Sequence, residues 1–200
     1  IGAQRRMDLA ALAFTTTTAH DAAIADRLWR ELDTEPQNRP LLIITRPTES
    51  LRYGENPDQR ASRHAIMSPP ALRDGLSSHM EQHAGSPLSY NNLIDLEAAV
   101  CLARDITTDD DSMVGCVIVK HNNPCGVAVA ITAEEAWSNA LACDEESAFG
   151  CVVAFTAPIV LTTSECIADH FLEALIAPSI GGEALLHLAH KDRRRLLTLN

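Results

Sequence analysis

Val117-Ile118-Val119-Lys120-His121-Asn122-Asn123-Pro124-Cys125-Gly126 is the stretch on which the fold turns. Val114 to Val119 is a continuous apolar run, the pattern of a strand buried on both faces. It stops at Lys120, and a loop follows. In open α/β sheets, ligands bind beyond the carboxyl ends of strands. Lys120 and His121 therefore stand where a site is expected. An ammonium partly withdrawn from water can stabilise a developing oxyanion. An imidazole beside it can move protons near neutral pH. Asn122 and Asn123 add amide donors, and Gly126 permits a tight backbone path. The plain alternative is a strand-end lysine reaching solvent beside a turn-capping histidine.

Working outward, Cys151 to Phe155 is a second buried strand. Ser147-Ala148-Phe149-Gly150 leads into it, and a glycine there lets the backbone approach a ligand. Helices are predicted at Leu93–Ile106, Glu134–Cys143, Ser164–Leu175 and Glu183–His190, a strand end at 176–178 and a last strand at Arg195–Leu199. Residues 68–87 and Thr107–Ser112 read as loops. Alternating strands and helices indicate an α/β domain. Toward the N-terminus, residues 5–32 read as helical, but Thr15 to Thr18 is a poor helix interior. Two helices or a break are expected, with Asp21 capping the second. Glu31 to Pro40 reads as a linker, Leu41 to Thr45 as a short strand, and Ser50 to Gln59 as strand running into loop.

Two further stretches carry candidate chemistry. In Leu51 to Gln59, LRYGENPDQ, Arg52 can grip a phosphate or carboxylate with two bonds, and Tyr53 can stack on a planar ligand. Gly54, Asn56 and Pro57 would equally make a plain surface turn. In Leu88 to Asp95, LSYNNLID, Asn91 and Asn92 can read a polar ligand. Helix capping alone is enough to explain Asp95.

Composition narrows the function classes. The 200 residues carry a formal net charge of -11, which speaks against a general nucleic-acid surface but not against a local basic pocket. Lys120 and Lys191 are the only lysines. No run approaches the roughly 18 apolar residues of a membrane span, and Asp8 interrupts the signal-like start at Arg5 and Arg6. The six cysteines form no CxxC pair, so reduced thiols in a cytoplasmic protein are expected. A zinc deaminase needs H-x-E followed by P-C-x-x-C. His121-Asn122-Asn123 lacks the Glu, and Pro124-Cys125 lacks the second Cys, so no metal is expected. Neither a Walker A nor a G-x-G-x-x-G pattern occurs.

Taken in order, LRYGENPDQ, LSYNNLID, VKHNNPCG and SAFGC resemble the bifunctional purine-biosynthesis family. That family joins aminoimidazole carboxamide ribonucleotide (AICAR) formyltransferase to IMP cyclohydrolase, and its members look like LRYGENPHQ, LSYNN, VKHxNPCG and SAFGG. Leu172 to Pro178 and Glu183 to Leu185 are also similar, as is AFTTTTAHDAAIADRL near the N-terminus. The departures are Asp58, Cys151, Thr16 and His20.

The resemblance implies a cytidine-deaminase-like α/β subdomain of the transformylase at 51–200. The helical end of a cyclohydrolase (methylglyoxal-synthase-like) domain would lie at 1–32, with a linker and first strand at 33–50. It implies formyl transfer from the cosubstrate 10-formyltetrahydrofolate to AICAR, then ring closure to IMP, in a homodimer with neither nucleic-acid nor membrane partners. Lys120 and His121 match the catalytic pair. Arg52, Tyr53, Asn92, Phe149, Gly150 and Glu173 match substrate-binding positions. Family chains are more than twice this length, so cyclohydrolase sequence is expected before Ile1 and a second transformylase half after Asn200. The isolated chain is accordingly expected to be inactive. A noncatalytic nucleotide-binding or assembly domain of the same fold is the alternative.

Overall fold

Residues 1–32, 35–68, 75–106, 112–191 and 193–199 are described by a computed structural model. Apart from Ser112, the expected loop Thr107–Ser112 lies outside them. Contacts divide the chain into two units, Ile1–Ser50 with Ser62–Gly75, and Leu51–Ala61 with Leu76–Asn200.

In the first unit, helix α1 (Ala3–Glu31) is continuous, so the expected break is absent. The Thr15 and Thr16 hydroxyls each donate to the carbonyl four residues back at 2.9 Å, and Thr17 donates to Phe14 at 3.2 Å. Bonded this way, the hydroxyls find their acceptors along the helix, one of the rotamers open to threonine there. Asp21 accordingly lies inside the helix and caps nothing. Strands β1 (Ile44–Ser50) and β2 (Ser62–Ser68) pair antiparallel. Leu41, Leu42 and Ile43 are exposed and precede the first paired residue, so the strand starts later than the apolar run suggested. One strand thus fills the interval between the two expected at Leu41–Thr45 and from Ser50, and residues 51–59 hold no strand.

The second unit is a mixed sheet between helices. Its strands are β3 (Met80–Ala84), β4 (Val114–Lys120), β5 (Asn123–Ala130), β6 (Cys151–Phe155), β7 (Leu172–Ala177) and β8 (Arg195–Leu199), in the order β3-β8-β7-β6-β4-β5. The pairs β6–β7 and β7–β8 are parallel; the other three are antiparallel. Helix α2 (Tyr90–Asp105) covers one face, burying Leu96, Ala99 and Val100 against Val117, Val119, Val152 and Ile176. Helices α3 (Ala133–Leu141), α4 (Leu161–Ile167) and α5 (Gly182–Ala189) cover the other, over Cys116, Ile118, Val153 and Leu175. Alternate residues of β4 thus enter opposite cores, which is why its apolar run is unbroken. Ile118, Leu175 and Leu196 are fully buried, and each such side chain contributes about 1.5–3 kcal/mol.

Three expectations are corrected here. The loop read at 68–87 contains β3, held as an edge strand by β8. The loop read after Lys120 is a hairpin, because β5 returns along β4 from a two-residue turn. The helix read at Ser164–Leu175 ends at Ile167, and Leu172 onward is β7. A short apolar run between two covered strands has no period to distinguish it from helix.

Candidate functional site

Lys120 is the last residue of β4, and His121 and Asn122 make the turn to β5. Both turn residues have positive φ, 51° and 62°. A two-residue hairpin loop of the twist-compatible class demands this at both positions, and histidine and asparagine tolerate it better than most. Because β4 runs antiparallel to β6, its carboxyl end meets the amino ends of β6, β7 and β8. The site therefore lies at the amino ends of the parallel strands, not at the carboxyl ends from which its position was argued. At those carboxyl ends sits an apolar cavity of about 210 Å³ between Val100, Phe155, Ile176 and Leu199.

A cavity of about 170 Å³ gathers Tyr53, Asn92, Asp95, Lys120, His121 and Glu173, with Gly150, Ser89 and Asn91 completing its wall. Beside it, Arg52, Arg193 and Arg195 line a larger space of about 540 Å³ that shares Tyr53 and Glu173. All of these residues belong to the second unit.

Each side chain is placed by local structure. The loop carrying Arg52 and Tyr53 is held by backbone bonds from Arg52 N–H to the Leu88 carbonyl, 3.0 Å, and from Tyr90 N–H to the Tyr53 carbonyl, 3.2 Å. The Arg52 guanidinium lies 5.3 Å from the Tyr53 ring centre. Ser89 caps α2: its Oγ accepts from Asn92 N–H at 3.2 Å, and Asn92 Oδ1 accepts from Ser89 N–H at 3.0 Å. With its oxygen engaged in that reciprocal cap, Asn92 turns Nδ2 toward Glu173 Oε2, 3.0 Å away.

Glu173 owes its direction to a bulge. Cys151 pairs with Leu172 and Val152 with Ala174, so Glu173 is the extra residue in β7. A second bulge makes Cys125 the extra residue in β5. Bulges of this kind re-aim side chains beside sites.

Lys120 Nζ donates to the Phe149 carbonyl. That carbonyl precedes Gly150, whose φ is +69°. A Cβ at Gly150 would stand 3.0 Å from the Phe171 ring and 3.3 Å from Lys120 Nζ, so glycine is needed for both conformation and space. Phe149 itself is 63% exposed and packs on Phe171 at 5.0 Å between ring centres. Only its backbone oxygen reaches the lysine.

The sequence reading missed two participants. Arg195 is 3% exposed. It donates from Nη1 to the Glu173 carbonyl and Oε2, both at 3.3 Å, and from Nε to the Pro87 carbonyl at 3.2 Å. An arginine opening an apolar strand was the available signal. Asp95 had been explained as a cap, yet Ser89 is the cap. Asp95 Oδ1 instead accepts from Asn122 N–H at 2.7 Å. Burial raises its carboxyl above the ordinary value, against lowering by that N–H, His121 and Lys120. Among the described residues, no three of His, Cys, Asp and Glu converge as a metal-ligand set, and no helix is long and apolar enough to cross a membrane.

The arrangement offers an ammonium, an imidazole, two amides and two carboxylates around one cavity, with guanidinium groups beside it. These groups make a mainly polar cavity in an α/β domain. The chain matches the family model described as AICARFT/IMPCHase bienzyme over residues 1–200. It belongs to that family.

It is 39% identical over 200 residues to the bifunctional purine biosynthesis protein PurH of Bacillus subtilis (strain 168), covering 100% of this chain and 37% of that protein. With PurH of Thermosynechococcus vestitus it shares 41% over 198 residues, 97% of this chain and 37% of the relative. The chain therefore spans little more than a third of the relatives it matches. Among solved structures, RibD of Acinetobacter baumannii aligns at TM-score 0.41 and 19% identity, over 54% of this chain and 35% of that one. A likeness that loose carries no conclusion.

Proposed function

We propose that this chain is the first part of an AICAR formyltransferase domain, from residue 51 onward, with a cytidine-deaminase-like fold. Residues 1–32 would be the end of an IMP cyclohydrolase domain and 33–50 the connection. One observation carries the reading most of the way. In a chain matching the bienzyme family from end to end, the Lys-His pair stands on a tight hairpin at a cavity that also holds Tyr53, Asn92 and Glu173.

In the reaction, the 5-amino nitrogen of AICAR attacks the formyl carbon of 10-formyltetrahydrofolate. A C–N bond forms and the carbonyl oxygen becomes an oxyanion. His121 takes the proton that the amine sheds. Lys120 stabilises the developing charge and gives a proton to the folate nitrogen as its bond to the formyl carbon breaks. Glu173 and Asn92 would orient the nucleotide's polar groups, and Arg52 and Tyr53 its phosphoribosyl end. Gly150 lets the Phe149 carbonyl hold Lys120 without a clash. The intact protein would close the ring to IMP, act as a homodimer in the cytoplasm, and need no metal for formyl transfer.

The test is a chimera. The matching 200 residues of the Bacillus subtilis relative are replaced by this chain, and formation of formyl-AICAR is measured. Turnover that disappears in Lys120→Met and in His121→Ala supports the reading. A folded chimera that binds AICAR without turnover points instead to a noncatalytic nucleotide-binding domain. Formyl-AICAR made by the 200-residue chain alone would overturn the division into halves.

A further inference from the structure

The Asp95 carboxylate has a place in the site that the cyclic cap of α2 does not explain. Ser89 and Asn92 already complete that cap. Asp95 lies four residues after Asn91 and three after Asn92, so all three share one face of the helix. That face borders the cavity holding Lys120 and His121, and the helix is anchored in the core through Leu96, Ala99 and Val100.

The bond it makes is to the turn of the hairpin. In a two-residue loop the turn's own N–H groups fall outside the strand ladder, and here both turn residues sit in the left-handed region. Asn122 N–H is given an acceptor by Asp95 Oδ1 at 2.7 Å, a length typical of bonds to a charged oxygen. Nearby, Asn123 Nδ2 donates to the His121 carbonyl at 2.9 Å, closing the other side of the turn. The carboxylate thus ties a strained turn to a rigid helix, and left-handed backbone persists only where its surroundings over-determine it.

We propose that Asp95 is a positioning residue: by holding the Asn122 N–H it keeps the His121–Asn122 turn left-handed and so sets where the His121 imidazole stands at the cavity. The catalytic consequence rests on the formyl-transfer reading above; the structural one does not.

Two arms separate them. In the isotope-labelled 200-residue chain, Asp95→Ala should speed exchange of the Asn122 amide at least tenfold and abolish the strong intraresidue HN–Hα contact that marks positive φ at His121. Asp95→Asn, which keeps an acceptor oxygen, should retain both. Unchanged exchange and unchanged φ in Asp95→Ala would overturn the proposal. In the chimera, Asp95→Ala should lower kcat at least tenfold with KM for AICAR nearly constant, and Asp95→Asn should recover most of it. A merely structural role would scale activity with the folded fraction and leave the kcat and KM of the folded enzyme alone. If Asp95→Asn is as inactive as Asp95→Ala while its Asn122 amide stays protected, the charge rather than the turn matters, and positioning is refuted. A wild-type chimera that binds but never turns over would fail the functional reading, while the amide arm still decides the turn.

Discussion

Arg195 and Glu173 are joined twice: one guanidinium nitrogen donates to both the backbone carbonyl and the carboxylate of the same residue, at 3.3 Å each. The bulge turns Glu173 toward the site, and the first residue of β8 holds it there. The arginine side chain is 4% exposed and the glutamate 44%, so the pair is asymmetric. Removing the arginine leaves the Pro87 carbonyl and a half-buried carboxylate short of a donor. Arg195→Met should therefore cost about 1–3 kcal/mol, discounted from the fully buried case because solvent screens Glu173. Urea unfolding of the chain measures it, and a change within about 0.5 kcal/mol, the size of an ordinary surface substitution, would show the contact to be incidental.

Lysine and arginine differ in one respect that matters here. Arginine remains charged at all working pH values and cannot donate a proton. Lys120→Arg keeps the cation but should lower formyl transfer in the chimera by about 10²-fold or more, the scale of a lost general acid, with AICAR affinity changed far less. Activity within a few-fold of wild type would assign Lys120 an electrostatic role alone.

The half-buried Asp95 predicts a pH dependence of stability. Its folded carboxyl titrates above the ordinary 3.8, chiefly because of burial. The folded chain then binds the proton more tightly than the unfolded chain, so stability falls as pH rises through the window just above 3.8. Above that window the charged group carries its full burial cost. Asp95→Asn keeps the acceptor without the charge and lacks this fall. Its stability relative to wild type should climb across the window and then level off, as read from urea midpoints at a series of pH values. A difference independent of pH would contradict this.

Gly126 is needed for a close approach. A Cβ there would stand 2.1 Å from the Ala140 carbonyl oxygen and 2.9 Å from its carbon. Both are backbone atoms at the end of α3, so relief requires β5 and α3 to separate. Gly126→Ala should destabilise the chain by about 3 kcal/mol, the upper range of overpacking. A thermal midpoint unchanged from wild type would contradict this contact.

Much of the site was legible because its parts are local. The apolar run ending in Lys120-His121 marked a buried strand and its exit, and Tyr53, Asn92, Gly150 and Glu173 come to the same cavity as that pair. Arg52 falls in the adjoining space, and Phe149 contributes a carbonyl. Less legible were elements whose existence depends on a partner. β3 forms because β8 is there to pair with it, and Thr15, Thr16 and Thr17 fit a helix interior because their hydroxyls have an acceptor within the helix itself.

The residues alone determined the class of the chain, an α/β domain of the bienzyme family, and most of the polar groups at its site. These follow from patterning and from motifs whose meaning is contained within a few neighbouring positions. Tertiary structure decided which end of the sheet the site occupies, which way Glu173 points, and that Arg195 and Asp95 belong to it. Strand direction, a one-residue bulge and a helix facing a hairpin depend on residues far apart in the chain. A carboxylate 27 residues from the amide it holds leaves no spacing from which that bond could be read.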